Sequence, residues 1–325
     1  MSARLVLAGS VIVDLVLRVP HLPERGGDVL ASAAGQTAGG GFNVLSAARR
    51  LGLPAVYAGG HGTGPFGDLV RAALAGEGVT PLLPARAGQD TGYCVALTDA
   101  GGERTFVTAS GAEAALTTED TGRTARRLRA GDLVQLSGYG LAYPGSADRL
   151  TDLTARLPEG AVLCLDPGPL VADIAPDRLE RVLARVDWLS CNRREARLLT
   201  GAEDGAAAAE SLAARLRPGA GGVVVRGDAE GCWLVEGRGA AASVPGRPVE
   251  LVDSNGAGDA HVGAFLALLG HGASPLEAAR GANVAASVAV TRHGPATGPT
   301  RAELTAVLGP SDPLSVLLAG ADETA

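Results

Sequence analysis

Residues 251–265 read LVDSNGAGDAHVGAF. An acid at Asp253 precedes the small residues Gly256-Ala257-Gly258, a second acid stands at Asp259, and an apolar pattern follows at Val262, Phe265, Leu266 and Leu269. That last spacing is helical. Glycine inside a helix is less favourable than alanine by about 1 kcal/mol, so two glycines in three positions suggest a turn that needs bare backbone. On this reading Leu251-Val252 ends a strand, Asp253 follows it, and the helix begins near Gly258. The small residues then lie where a helix exposes free N–H groups and the positive end of its dipole. Such an end binds anions, and glycine lets a phosphate come close. Asp259, in the first turn, is placed to take a proton from a hydroxyl attacking a phosphoryl group. On this segment alone, an Asn-Gly turn before an acidic helix start is an equal alternative.

Outward from this segment, short apolar runs alternate with helical patterns. Strand candidates are Leu5–Ala8, Ala55–Ala58, Leu133–Leu136, Val162–Leu165, Trp188–Ser190 and Val223–Val225, and Val44, Ala47, Ala48 and Leu51 carry helical spacing. Continuous apolar strands between helices argue for a mostly parallel sheet covered on both faces, with ligands at the carboxyl ends of its strands. Two stretches break the rhythm. Residues 91–112 read as two strands around the turn Asp99-Ala100-Gly101-Gly102, and 11–37 is strand-like with little helical pattern. Together they are expected to form one small sheet, either a lid over the site or a plain surface hairpin. The stretch 311–325 is expected to be a fraying tail.

Composition narrows the function. The 325 residues carry a net charge of −7 and no basic run, so the electrostatic footprint of a nucleic-acid binder is missing. Lysine is absent, which excludes a P-loop lysine and a Schiff-base lysine. Aromatic residues make up only 3%, too few for a site of several stacked rings. Cys94, Cys164, Cys191 and Cys232 show no CxxC spacing and read as buried thiols of a cytoplasmic protein. The first apolar stretch is broken by Asp14 and Arg18, so neither a signal peptide nor a membrane partner is expected.

The segment DSNGAGDAHVGAF (253–265) resembles the C-terminal signature of the ribokinase-like (PfkB) carbohydrate kinases, D-T-x-G-A-G-D-x-F. Further segments resemble the family in the same order: 9–31, AGGGFNVLSAARRLG (38–52), 62–79, GAEAAL (111–116), CNRREARLLTG (191–201), VVVRGDAEGCWLV (223–235) and 288–304. The resemblance covers nearly the whole chain. It implies an α/β fold of ribokinase type, a doubly wound, mostly parallel sheet with helices on both faces and a small β-sheet lid. It also implies one kinase domain over 1–310, with the lid built from about 11–37 and 91–112. The implied reaction transfers the γ-phosphoryl of ATP, with Mg²⁺, to a hydroxyl of a small molecule. A sugar or sugar-like polyol with a primary hydroxyl is the first choice and a nucleoside the alternative.

Carried over residue by residue, the resemblance makes Asp259 the general base beside the anion hole of Gly256, Ala257 and Gly258. Asp14, Gly39, Gly40 and Asn43 match the acceptor pocket; Asn43 alone would also serve as an N-cap for the helix at 44–51. Asn192 and Glu195 match an N-x-x-E motif that holds Mg²⁺, through water, and lies by the nucleotide. Arg226, Gly227 and Gly231 match the loop beside the phosphates and ribose, and Asn283 a position near the adenine. Asp253, Asn255, Ala289, Arg292 and Gly294 match the surroundings of a monovalent-cation site, so K⁺ activation is expected. A homodimer through the lid is implied as well.

Some positions depart from the pattern. His261 stands for a usual phenylalanine and is read as a packed side chain. Glu113 replaces an asparagine and Ala38 a glycine, which opens the question of the acceptor rather than of the chemistry. Two other classes compete. GTGPFG (62–67) satisfies G-x-G-x-x-G, but a dinucleotide site wants an acid about 20 residues on, and Leu82-Leu83-Pro84-Ala85 offers none. A non-catalytic sensing module on the same fold is the other. Tyr93, Phe106 and Phe42 are the aromatic candidates for a nucleoside pocket.

Overall fold

The computed structural model describes residues 3–320. Its strands are β1 (Arg4–Ala8), β2 (Val11–Arg18), β3 (Ala33–Gly40), β4 (Ala55–Tyr57), β5 (Thr80–Pro81), β6 (Tyr93–Thr98), β7 (Arg104–Ala109), β8 (Asp132–Ser137), β9 (Val162–Asp166), β10 (Trp188–Asn192), β11 (Gly222–Arg226), β12 (Gly231–Glu236) and β13 (Ala242–Pro245). The helices are α1 (Gly41–Arg50), α2 (Pro65–Gly76), α3 (Thr118–Ala125), α4 (Gly138–Ala142), α5 (Ala147–Thr154), α6 (Pro176–Leu183), α7 (Arg193–Thr200), α8 (Gly205–Arg215), α9 (Ala257–Gly270), α10 (Pro275–Ala289), α11 (Arg301–Leu308) and α12 (Pro313–Gly320). All six strand candidates of the sequence are strands.

Nine strands form one sheet in the order β13-β12-β11-β10-β9-β8-β1-β4-β5. Pairing is parallel from β11 to β5 and antiparallel where β12 and β13 extend the edge. The apolar runs follow from burial on both faces. Leu5 and Leu7 face one core with Cys164, Trp188 and Val224, while Val6 and Ala8 face the other with Leu163, Leu189 and Val223. Successive side chains of a strand point to opposite faces, so such a strand must be apolar throughout. Helices α1, α2, α9, α10, α11 and α12 contribute to the first core, and α4 to α8 to the second. Helix α9 is buried nearly all round, with Phe265 set edge-on against Trp188 at 5.1 Å.

The small sheet has the order β3-β2-β6-β7, with β2 and β6 parallel. The hairpin β6–β7 turns at 99–102, where Asp99 Oδ1 accepts the amides of Gly101 and Glu103. Strand β3 runs directly into α1, and so ties the small sheet to the first core. Asp14 lies inside β2, opposite Thr37 on one side and Cys94 on the other.

Two expectations fail. Leu251-Val252 is no strand end: both side chains are exposed, and the amides of Val252 and Asp253 donate to Val290 O at the end of α10. Two apolar residues are too few to form a strand without a partner edge. The stretch 311–325 is not a fraying tail throughout, because 313–320 form α12, whose Leu314 and Leu318 are buried in the first core. Residues 321–325 lie outside the described residues. Among the described residues no helix is long and apolar enough to cross a membrane.

Candidate active site

Three parallel strands end in polar side chains that meet at one edge of the sheet: Asp166 on β9, Asn192 on β10 and Arg226 on β11. Arg226 donates to Ser190 Oγ at 2.6 Å and to Asp166 Oδ2 at 3.0 Å, and lies 3.8 Å from Glu195 Oε2. It is a partner to carboxylates as much as a loop residue. Asn192 is the N-cap of α7. Its Oδ1 accepts the Glu195 amide at 2.8 Å, and Glu195 Oε2 accepts the Asn192 amide at 2.9 Å. This reciprocal capping box explains N-x-x-E structurally, and Glu195 is buried rather than solvated. Burial pushes the Glu195 carboxyl up to about 7, with Asp166 adding to the rise and Arg226 opposing it. Two carboxylates in excess of one guanidinium fit a divalent cation held through water.

The N-terminus of α9 opens at the same edge. Gly256 is its N-cap in the left-handed region at φ 73°, and a side chain there would run into Pro295 O. Among the described residues the amides of Gly256 and Gly258 have no protein acceptor, whereas the Ala257 amide makes a 3.3 Å bond to Ser254 O. An anion at this helix end would therefore meet the amides of the two glycines first. Asp259 is the third residue of the helix, and Asn43 Nδ2 donates to its Oδ2 at 2.9 Å. Burial pushes the Asp259 carboxyl up to about 7; the Asn43 bond and Arg226 pull against this, while Asp166 and Asp14 add to it.

Asn43 is not an N-cap. Helix α1 starts at Gly41 with Gly40 as its cap, and Asn43 sits in the first turn, buried, with Oδ1 lacking a partner. Such an orphaned acceptor is costly unless a ligand satisfies it. Asp14 is half-buried, and burial alone pushes it up to about 6. Its carboxylate lies against the Cα of Gly39, so any side chain at 39 would collide with it. Asp14, Gly39, Gly40, Asn43 and Asp259 thus form one polar pocket between the small sheet and α9.

Asp166 and Ser190 were not singled out from the sequence, nor were Tyr139 and Tyr143. The two tyrosine rings lie 6.4 Å apart. Burial lifts the Tyr139 hydroxyl well above its ordinary value, and Cys94, Tyr143, Asp259 and Asp166 add to this. The expected aromatic residues lie elsewhere: Phe42 is in the first core, Phe106 is exposed on β7, and Tyr93 packs on Phe66 at 5.2 Å. Glu113 is buried with its two oxygens on the amides of Gly92 and Gly111, both at 2.8 Å. It clamps the base of the β6–β7 hairpin, and does not mark the acceptor.

Asn283 and His261 form a buried pair. Asn283 Nδ2 donates to Val244 O at 3.0 Å, and its Oδ1 meets His261 Nε2 at 3.1 Å. Burial pushes His261 down to about 3, so it is neutral and packed. The Asn283 amide is used within the protein. Gly227 and Gly231 close the turn after β11 through the 2.7 Å bond from Gly227 N to Gly231 O. The α2 N-terminus in GTGPFG is taken by Asp90, which accepts the amides of Phe66 and Gly67. A carboxylate in that position leaves no place for a dinucleotide pyrophosphate.

The expected K⁺ surroundings are tied together by the chain's own hydrogen bonds. Asp253 accepts Asn255 N through Oδ1 at 2.9 Å and Gly294 N through Oδ2 at 3.1 Å. The Thr297 hydroxyl lies between Ala289 O and Gly294 O, at 3.0 and 3.2 Å. The Arg292 guanidinium turns away to Glu303 at 2.6 Å. The Asp253 carboxylate keeps lone pairs beyond its two amides, the single Thr297 proton serves one carbonyl at a time, and Asn255 O accepts no donor among the described residues, so the group retains oxygens that a cation could take.

A carboxylate beside an open helix N-terminus at the carboxyl edge of a parallel sheet is an arrangement that can serve phosphoryl transfer. The chain belongs to the pfkB family of carbohydrate kinases, whose model matches residues 2–302. It is thus a kinase acting on an alcohol group. It is 33% identical over 302 residues to the uncharacterized sugar kinase YegV of Escherichia coli, covering 92% of each chain. It is 29% identical over 309 residues to the ribokinase of Haemophilus influenzae, covering 93% of this chain and 97% of that one. The solved ribokinase of Thermotoga maritima superposes with a TM-score of 0.79 at 25% identity, over 95% of this chain and 99% of the other.

Proposed function

We propose that the chain transfers the γ-phosphoryl group of ATP to a primary hydroxyl of a sugar or sugar-like polyol. The observation that carries this reading is Asp259, a carboxylate poised near neutrality beside the free amides of α9 and bonded to a buried asparagine with an unfilled acceptor. Asp14 accepts hydroxyls of the acceptor, and Asn43 Oδ1 takes another. Asp259 removes the proton from the attacking hydroxyl. The new O–P bond forms as the bond from the γ-phosphorus to the bridging oxygen breaks, and ADP leaves with that oxygen. The amides of Gly256 and Gly258, with the Ala257 amide behind them, hold the developing charge, and the guanidinium of Arg226 lies alongside Gly258.

Glu195, Asn192 and Asp166 would hold Mg²⁺ through water; its chemistry there is to neutralise phosphate charge. Gly227, Gly231 and the buried wall at Asn283 would border the nucleotide. The small sheet closes over the acceptor and excludes water, which limits ATP hydrolysis. A homodimer through that sheet would cover Phe106 and Val107, exposed on its edge strand. ATP as the donor and four free, buried cysteines suit a cytoplasmic enzyme. A nucleoside is the second reading, and the Tyr139–Tyr143 pair favours it by offering an aromatic face to a base.

The test is ADP release with Mg²⁺·ATP against pentoses, hexoses, polyols and nucleosides. One class is expected to stimulate release. Asp259→Asn is expected to keep ATP binding and lose about 10²–10⁴-fold in kcat. Retained turnover would remove Asp259 from the role of base.

A further inference from the structure

Arg226 ends β11 with its guanidinium between two groups of opposite character. One edge faces two acids and a hydroxyl. Nη1 donates to Ser190 Oγ at 2.6 Å, Nη2 donates to Asp166 Oδ2 at 3.0 Å, and Nη2 lies 3.8 Å from Glu195 Oε2. The other edge faces the start of α9. A Cβ placed on Gly258 would stand 3.6 Å from Nε, 3.7 Å from Nη2 and 3.8 Å from Cζ, so the glycine leaves that edge uncovered. Among the described residues Nε donates to no acceptor, and neither do the amides of Gly256 and Gly258. A cation is thus set beside the positive end of a helix, with unused N–H groups on both. The two repel each other unless an anion lies between them. Neutralising Asp166 and Glu195 accounts for the Nη edge and leaves the Nε edge unexplained.

We infer that Arg226 is a catalytic residue of the transfer, whose Nε edge binds the phosphoryl group as it passes from ADP to the acceptor. The inference rests on the kinase reading above and adds to it a donor that carries full charge. As the bond to the bridging oxygen lengthens, charge spreads over the three equatorial oxygens of the phosphoryl group. The amides of Gly256 and Gly258 meet those oxygens as neutral donors. A guanidinium meets them with a charge-assisted bond, roughly twice as strong as a neutral one. Arg226 stays protonated throughout and moves no proton; Asp259 takes the proton of the hydroxyl, and ADP keeps the bridging oxygen. Ser190 and Asp166 anchor the Nη edge, so the planar fork presents Nε in a fixed direction. These anchors come from β10 and β9, paired in parallel beside β11. The cation is therefore held by the sheet before any substrate arrives, and little reorganisation is needed at the moment of reaction. The chain has no lysine, so a permanent side-chain charge at this edge has to be an arginine.

The test compares a triphosphate with a diphosphate. Binding of Mg²⁺ with a non-hydrolysable ATP analogue, and of Mg²⁺ with ADP, is measured by calorimetry for the wild type, Arg226→Gln and Arg226→Lys. Arg226→Gln is expected to weaken the ATP analogue about 10–100-fold, the loss of one charge-assisted contact, and to change ADP by no more than about threefold. Its kcat for ADP release in the acceptor panel is expected to fall about 10²–10³-fold. Arg226→Lys keeps the charge beside Asp166 and Glu195, and decides the matter if the glutamine variant does not fold. It is expected to bind ADP as the wild type does and still to lose at least about tenfold in kcat, because a point charge cannot serve both edges at once. Parallel losses for ADP and the ATP analogue in Arg226→Gln would overturn the inference and leave Arg226 as a counter-ion of the two acids. Wild-type kcat in Arg226→Lys would overturn it as well. A wild type that binds neither nucleotide would overturn the kinase reading itself, and this inference with it, so the two failures are told apart.

Discussion

Replacing Asn43 with alanine should move the pH dependence of turnover in a calculable direction. The base must be ionised to accept a proton, and Asp259 is ionised above about 7. Asn43 Nδ2 donates to the charged carboxylate at 2.9 Å, and so favours the ionised form. A hydrogen bond to a charged group contributes about 1.5–3 kcal/mol. Its loss raises the acid limb of kcat/KM by about one to two pH units. The wild-type limb is expected near pH 7, with about half of the base active there. In Asn43→Ala about a tenth to a hundredth is active at that pH, and alkaline pH restores the fraction. The assay is kcat/KM for the acceptor between about pH 5.5 and about pH 9.5. A rise in KM with an unmoved limb would refute the reasoning, because it would show that Asn43 binds the acceptor without tuning Asp259.

Removing the charge at 259 should stabilise the unliganded protein on the alkaline side only. Asp259 titrates near 7 in the folded chain against 3.8 ordinarily, so folding favours its protonated form. That stability is present below about pH 4 and is lost as pH rises through 7. Asp259→Asn should therefore raise Tm at pH 8 by about 1.5–3 °C, for a net of about 1–2 kcal/mol, and leave it unchanged near pH 4; an equal shift at both values in a melting series would sink the charge argument. Gly39→Ala should displace the Asp14 carboxylate, raising the acceptor KM with little change in affinity for the ATP analogue; loss of both in parallel would place the glycine in folding rather than in the pocket.

The local parts of this site were legible in the sequence because local rules set them. The glycines before Asp259 announce a helix N-terminus, and the N-x-x-E spacing yields the capping box at Asn192 and Glu195. The apolar strand runs give the sheet because both of its faces are covered. What stayed hidden depends on contacts between distant segments. Arg226 and Asp166 are 60 residues apart and Arg104 and Ser254 are 150 apart. Asp166 did carry a signal, as an acid at the end of an apolar strand, where ligands gather in parallel sheets. Arg104 carried none, since an arginine near a hairpin turn reads as solvated until the fold brings it to Ser254.

The same long-range contacts give the site its charge balance. Asp166, Glu195, Asp259 and Asp14 converge on one pocket, with Arg226 as the close cationic partner of the first two. The excess negative charge has two effects that pull together. It helps burial hold Asp259 near neutrality, where a carboxylate is a better base than in water. It also leaves the sheet edge short of positive charge where a phosphate chain must lie, so that binding of a magnesium nucleotide and ionisation of the base are coupled. A magnesium nucleotide carries net negative charge, so its γ-phosphate beside α9 disfavours the ionised form of Asp259. The acid limb of turnover for the nucleotide-bound enzyme, read from kcat, should accordingly lie above that of the free enzyme, read from kcat/KM for the nucleotide. Coincident limbs would show that the carboxylates act separately.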